Sequence, residues 1–167
     1  NEWADAAVEY QKTAYPNMTL LEAQPRVESH DNGDTAYNVA KEAFKTYPEL
    51  KGIMGTSSFD APGVARAIDE LGLVDKAFTT GTGMPADNAE LLKSGVIKSL
   101  TLWDPAQAGK AMISLAVKVL NGDEIGAPVD LGIEGYTGMT FREGSTTVLE
   151  GEGWIVINGE NVDSFGF

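Results

Sequence analysis

The chain has 167 residues, enough for one domain with a sizeable core, and its apolar share of 43% and charged share of 22% are ordinary for a globular protein. Its 25 acidic and 12 basic residues give a net charge of −13, which argues against nucleic acid or anionic lipid as partner, because Lys and Arg drive those contacts. The lack of cysteine excludes disulfides, thiolate metal sites and cysteine nucleophiles, and no apolar stretch approaches the ~20 residues needed to span a membrane.

Along the chain, helix and strand alternate. Residues 2–14 read as a helix, with Trp3, Ala6, Ala7 and Tyr10 at three- and four-residue spacings. Tyr15-Pro16-Asn17 stops it, and Met18 to Leu21 are expected to open a strand running to about residue 24. Asp31-Asn32-Gly33-Asp34-Thr35 is a loop that ends at a helix cap, after which Ala36, Tyr37, Ala40, Ala43, Phe44 and Tyr47 trace one helix face. Pro48 ends this helix, and Gly52-Ile53-Met54-Gly55 is a short strand of the buried kind. Asp60-Ala61-Pro62 opens the next helix, with Val64, Ala67, Ile68 and Leu71 inward. Residues 77–80 are a strand, 87–92 a helix closed near Gly95, and 96–103 a strand. Asp104-Pro105 caps a long helix that reaches Leu120 and stops at Asn121-Gly122.

Strands alternating with helices of this length predict an α/β fold with a doubly wound parallel sheet. Beyond residue 125 the pattern turns to short β segments at 139–142, 146–149 and 154–158, a short-stranded C-terminal tail. Glu143-Gly144-Ser145 reads as the hairpin turn between the first two. The chain opens in a helix where such folds start with a central strand. In the strand order 2-1-3-4-5 that strand would lie between the one near 18–24 and the one at 52–55. A strand-wide gap, or a segment from elsewhere filling it, is therefore expected there, and the chain is expected to be a fragment that does not bind ligand competently alone.

Three constellations bear on function. Gly81-Thr82-Gly83-Met84-Pro85-Ala86 matches the dinucleotide pattern G-x-G-x-x-A, with Asp104 further along as a ribose ligand. Against it, Pro85 lacks an N–H for phosphate, Asp87 places negative charge in the first helical turn, and Asp104 stands where a helix cap belongs. Gly55-Thr56-Ser57-Ser58-Phe59-Asp60 falls short of a nucleophile elbow, because Phe59 stands where glycine is required. A Ser-His-Asp triad would depend on His30, the single histidine, which lies in a polar loop beside Asp31 and Asn32. His30, Asp31 and Asp34 do not have EF-hand spacing, and no metal ligand set is assigned. The third is the set of strand carboxyl ends, outside which open α/β sheets bind ligands. Thr56, Ser57 and Ser58 offer hydroxyls, Gly83 and Met84 open backbone, and Trp103 an indole. Such groups suit a polyol, hydroxyls and backbone fixing its oxygens and an aromatic face covering its C–H side. Helix-capping serines and a core tryptophan are the plain alternative.

Tyr47-Pro48-Glu49-Leu50-Lys51-Gly52-Ile53, the Gly63-Val64-Ala65-Arg66-Ala67 helix, and Gly95-Val96-Ile97-Lys98 followed by Leu102-Trp103-Asp104-Pro105 resemble the type I periplasmic sugar-binding proteins, and among them the rhamnose and autoinducer-2 receptors. Asn1-Glu2-Trp3 is similar to that branch as well. The resemblance implies a non-enzymatic two-lobe clamp that closes on its ligand. It implies that residues 1–102 are the C-terminal lobe without its first strand. Residues 103–167 would then be a crossover, long helix and β tail belonging to the N-terminal lobe. Carried over by strand ends, ligand contact falls on Ser57, Gly83 and Trp103, with Thr56, Ser58 and Met84 as neighbours. The implied partners are a small sugar or polyol and an ABC-transporter permease, with no cofactor, no nucleic acid and no direct membrane insertion. The implied location is extracytoplasmic, with a leader expected ahead of this chain. Many pentose and hexose binders carry an acid where Gly83 stands, and autoinducer-2 receptors carry Pro and Ala at the positions of Thr56 and Ser58. The other classes weighed are a dinucleotide-binding enzyme domain and the ligand-sensing domain of a LacI-like regulator. The latter shares the fold but would need a DNA-contacting segment that this acidic sequence does not contain.

Overall fold

A computed structural model describes residues 2–21 and 26–167. Five α-helices and six β-strands follow one another as α1 Glu2–Ala14, α2 Gly33–Thr46, β1 Gly52–Met54, α3 Asp60–Glu70, β2 Phe78–Thr82, α4 Pro85–Lys93, β3 Ile97–Trp103, α5 Pro105–Asn121, β4 Thr140–Phe141, β5 Leu149–Glu150 and β6 Trp154–Ile157, with a closing 3-10 turn at Val162–Ser164. The main sheet has the order β1-β2-β3-β6, and β4 and β5 form a separate two-stranded sheet. β1 and β2 are parallel, with Met54 opposite Thr80, as the doubly wound reading requires. The chain divides into two compact units, Asn1–Leu100 with Ile157–Phe167, and Thr101–Val156. The tail from Ile157 groups with the first unit.

In the first unit the core lies between the sheet and the α2–α3 pair. Ala36, Tyr37, Ala40 and Phe44 of α2 are buried, as are Val64, Ala67 and Ile68 of α3, the faces the helical spacing picks out. The two helices meet closely at Gly63, where a methyl group would lie 2.7 Å from the Ala36 Cβ. Helix α2 starts earlier than its apolar face suggests, because the Asn32 side chain accepts the Thr35 N–H at 2.9 Å and caps it. Ile97 and Leu100 of β3 and Ile157 of β6 are fully buried. The 3-10 turn packs on α4, where Lys93 pairs with Asp163 at 2.8 Å. The carboxylate holds the Lys93 ammonium above its usual range.

Two sequence expectations change here. Met18–Leu21 form no strand, and the rest of the expected strand, 22–24, falls outside the described residues. Gln11 Nε2 donates to the Tyr15 and Met18 carbonyls, at 2.7 and 2.8 Å, and ties the segment to the end of α1. A lone extended segment also cannot satisfy its backbone groups without a neighbour to pair with. Helix α1 forms as expected, yet none of its residues is buried, and Trp3 and Tyr10 are exposed.

In the second unit, α5 is capped at both ends. Asp104 Oδ1 accepts from the Ala106 and Gln107 N–H groups at 2.7 and 3.0 Å, and Gly122 ends the helix in the left-handed conformation at φ 76°. The β4–β5 pair is antiparallel, with Arg142 Nε 2.7 Å from Glu150 Oε1. The hairpin loop is longer than the Glu143-Gly144-Ser145 turn alone. Ser145 Oγ accepts the Thr147 and Val148 N–H groups, so the second strand begins only at Leu149. Among the described residues no helix is long and apolar enough to cross a membrane.

Candidate functional site

The candidate site in the first unit is built where β1 and β2 end side by side. Gly55 N–H donates to the Thr80 carbonyl at 2.9 Å, and a methyl group on Gly81 would lie 2.7 Å from the Gly55 oxygen. A side chain at position 81 would not permit this approach. The Thr56–Ser58 turn and Gly83–Met84 therefore follow the ends of two paired parallel strands, so five of the six candidate residues from the sequence lie at one end of one sheet. Thr56 and Ser57 are half-buried and Ser58 is exposed.

The Thr56–Ser58 turn is held by a residue the sequence reading passed over. Asp60 Oδ2 accepts the N–H groups of Thr56 and Ser57, both at 2.9 Å. The Phe59 N–H donates to Ser57 Oγ at 3.3 Å, so that hydroxyl also serves the turn. The signal was present as Ser57-x-x-Asp60, a spacing at which a polar pair can bond reciprocally around a helix start.

Gly83 is buried against Asn88 and Leu100. A methyl group there would come within 3.2 Å of Asn88 Nδ2 and 3.3 Å of Leu100 Cδ1. Asn88 in turn donates from Nδ2 to the Met84 carbonyl at 2.9 Å, and its Oδ1 is buried without a hydrogen-bond partner among the described residues. Met84 is extended at φ −75° and ψ 132°, which turns the chain directly into Pro85 at the first position of α4. Around this end the sheet carries one buried and one half-buried hydroxyl. Thr79 Oγ1 donates to the Ile53 carbonyl and Thr80 Oγ1 to the Ser99 carbonyl, both at 2.8 Å.

The dinucleotide pattern takes a different form in three dimensions. Strand β2 runs through Gly81 and Thr82, so only Gly83 and Met84 separate strand from helix, too short for a phosphate-cradling loop. Asp104 spends its carboxylate on the cap of α5. His30 is left-handed at φ 53°, 74% exposed, and lies 3.5 Å from Glu28.

Trp103 belongs to the second unit, at the carboxyl end of β3. It is 41% exposed and stands against Trp154, with ring centroids 5.7 Å apart and planes inclined by 32°. With this exposure, it is not a fully buried core residue of its unit.

Residues 1–124 match the model of the periplasmic binding protein domain family. Among solved structures, the chain is similar to a sugar ABC transporter protein from Actinomyces odontolyticus, at 21% identity and TM-score 0.79 over 99% of this chain and 52% of that one. It is similar to LsrB from Clostridium saccharobutylicum in complex with AI-2, at 17% identity and TM-score 0.78 over 99% of this chain and 54% of the other. A solute-binding protein from Clostridium phytofermentas with bound L-rhamnose aligns at 17% identity and TM-score 0.76, over 97% of this chain and 53% of that one. These likenesses establish the fold, and the chain spans about half the length of the structures it matches.

Proposed function

The chain belongs to the periplasmic binding protein domain family, and from that premise we propose that it contributes to an extracytoplasmic receptor for a small sugar or sugar-like polyol. The observation that carries this reading is the set of hydroxyls that follows β1 where its end runs alongside the end of β2. Thr56, Ser57 and Ser58 lie with Gly83 and Met84 at the carboxyl edge of a parallel sheet, where polar ligands of α/β folds bind. Trp103 would supply the apolar face that covers a pyranose or furanose ring. Binding followed by release is the chemistry these groups suit.

In this reading the first unit is the share of one lobe, and residues 101–156 the share of the other. Lobe closure captures the ligand, and an ABC-transporter permease receives it. The ligands of the similar structures, with L-rhamnose and AI-2 among them, set the ligand class to try first.

The test is titration calorimetry of the longest polypeptide that contains residues 1–167 against a panel of aldoses, deoxysugars, AI-2 and NAD. Saturable heat with one or more sugar-like compounds is expected. Heat with NAD alone would overturn the reading in favour of a dinucleotide-binding domain.

A further inference from the structure

Helix α4 begins without the usual side-chain cap. Its N-cap is Met84, whose side chain makes no capping hydrogen bond, and Pro85 after it has no N–H to give. The start of the helix is held from elsewhere. The Ala86 N–H donates to the Phe167 carbonyl at 3.3 Å, and Asn88 Nδ2 donates back to the Met84 carbonyl at 2.9 Å. Asn88 is 3% exposed, and its Oδ1 is buried without a hydrogen-bond partner among the described residues. A buried amide with an unpaired acceptor costs stability, and an apolar side chain of the same shape would fill the space at less cost. What the amide supplies, and leucine could not, is a donor to Met84.

We propose that Asn88 is a positioning residue for the ligand edge at Gly83–Met84, an inference that rests on the receptor reading above. Through the Met84 carbonyl it sets the course of the backbone between β2 and α4, and with it the direction in which this turn offers its polar groups to a polyol. Gly83 leaves room for that contact, since a methyl group there would come within 3.2 Å of the same Nδ2. Asn88 thus does for the second turn what Asp60 does for Thr56–Ser58. In each, a side chain of the following helix reaches back to the backbone that leaves the strand. The two turns follow adjacent parallel strands, so a shift in one misplaces its groups relative to the other. A site for a small ring tolerates only about half an ångström of such error.

The test compares Asn88→Ala with Asn88→Ser in the longest polypeptide that contains residues 1–167. Both leave nearly the same space empty, but a serine hydroxyl in a helix can donate to the carbonyl four residues back, here that of Met84. Calorimetry with the sugars and AI-2 of the panel above is expected to give roughly five- to tenfold weaker affinity for N88A, with N88S recovering most of the loss. Equal affinities for N88A and N88S, at the parent's value or below it, overturn the inference and reduce Asn88 to a filler of space. Heat with NAD alone in the parent overturns the receptor reading and this inference together. If N88A does not fold, nuclear magnetic resonance of the unsubstituted protein decides. The Asn88 side-chain amide and Met84 backbone signals are expected to shift together on saturation with the sugar that binds, and an Asn88 amide that the sugar leaves unmoved overturns the inference.

Discussion

Ser57 and Asp60 hydrogen-bond to each other twice: the Ser57 N–H donates to Asp60 Oδ2 at 2.9 Å, and the Asp60 N–H donates to the Ser57 carbonyl at 3.1 Å. The turn that presents Thr56, Ser57 and Ser58 is closed by this exchange, and a methyl group on Gly55 would sit only 2.2 Å from the Asp60 Cβ. The backbone that presents the hydroxyls at the end of β1 is therefore anchored to a carboxylate.

Removing that carboxylate leaves two half-buried N–H groups without their acceptor. Asp60→Ala is expected to lower stability by about 1–3 kcal/mol, and Asp60→Asn, which keeps an acceptor oxygen, by clearly less. Urea midpoints of the three proteins measure it. Equal midpoints for Asp60→Ala and the parent would mean that the turn holds without Asp60.

Gly81 and Gly83 are expected to respond differently to a methyl group. At Gly81 it meets the Gly55 backbone at 2.7 Å, where nothing can yield without separating β1 from β2, and Gly81→Ala should cost about 1–3 kcal/mol or more. At Gly83 it meets the ends of Asn88 and Leu100 at 3.2 and 3.3 Å, which can shift, so Gly83→Ala should be milder in thermal unfolding. The reverse order would show that the strand pair is the more compliant of the two contacts.

If Trp103 covers a ligand face, Trp103→Ala should weaken sugar binding by about 1–3 kcal/mol, the range for loss of a buried aromatic anchor. The cooperativity of unfolding should change little, since Trp103 is 41% exposed and has Trp154 as its ring neighbour. Calorimetry on the variant and the parent decides it, and unchanged affinity would confine Trp103 to its contact with Trp154.

The α2–α3 pair carries a polar clamp with a defined pH response. Tyr37 Oη donates to Glu70, and Lys41 Nζ donates to both Glu70 and Tyr37 Oη. Lys41, with Tyr37 second, holds the Glu70 carboxyl below its usual range, and Glu70, with Tyr37 second, holds the Lys41 ammonium above its own. A lowered carboxyl contributes stability that is present above its unfolded value and is lost as pH falls through the folded one. A raised ammonium contributes below its unfolded value and loses it as pH rises through the folded one. Glu70→Gln should thus reduce stability between those limits, with the difference from the parent shrinking in strong acid and in strong base. The effect should be small, since the pair is open to solvent. A difference that stays constant from acid to base in a series of thermal melts would refute the charge-based account.

Most elements were legible because their signals are local. The α3 face of Val64, Ala67 and Ile68, the Asp104 cap and the Gly122 stop each act within one or two turns, and the structure shows all of them. The strand ends could be located for the same reason, which is why Thr56–Ser58 and Gly83–Met84 could be singled out as neighbours. Non-local pairing was not legible. The apolar run beginning at Met18 has strand composition, but a strand exists only with a partner, and here Gln11 binds the segment back to α1. The tail from Ile157 could be read as β structure, but only tertiary packing decided that it joins the first unit, with Ile157 fully buried there. Likewise the sequence offered Asp60 as one more acid at a helix start. Its hold on Thr56 and Ser57 arose only when the close approach of β1 and β2 at Gly55 and Gly81 set where the turn must run, because a hydrogen bond depends on ångström-scale placement that no residue spacing encodes.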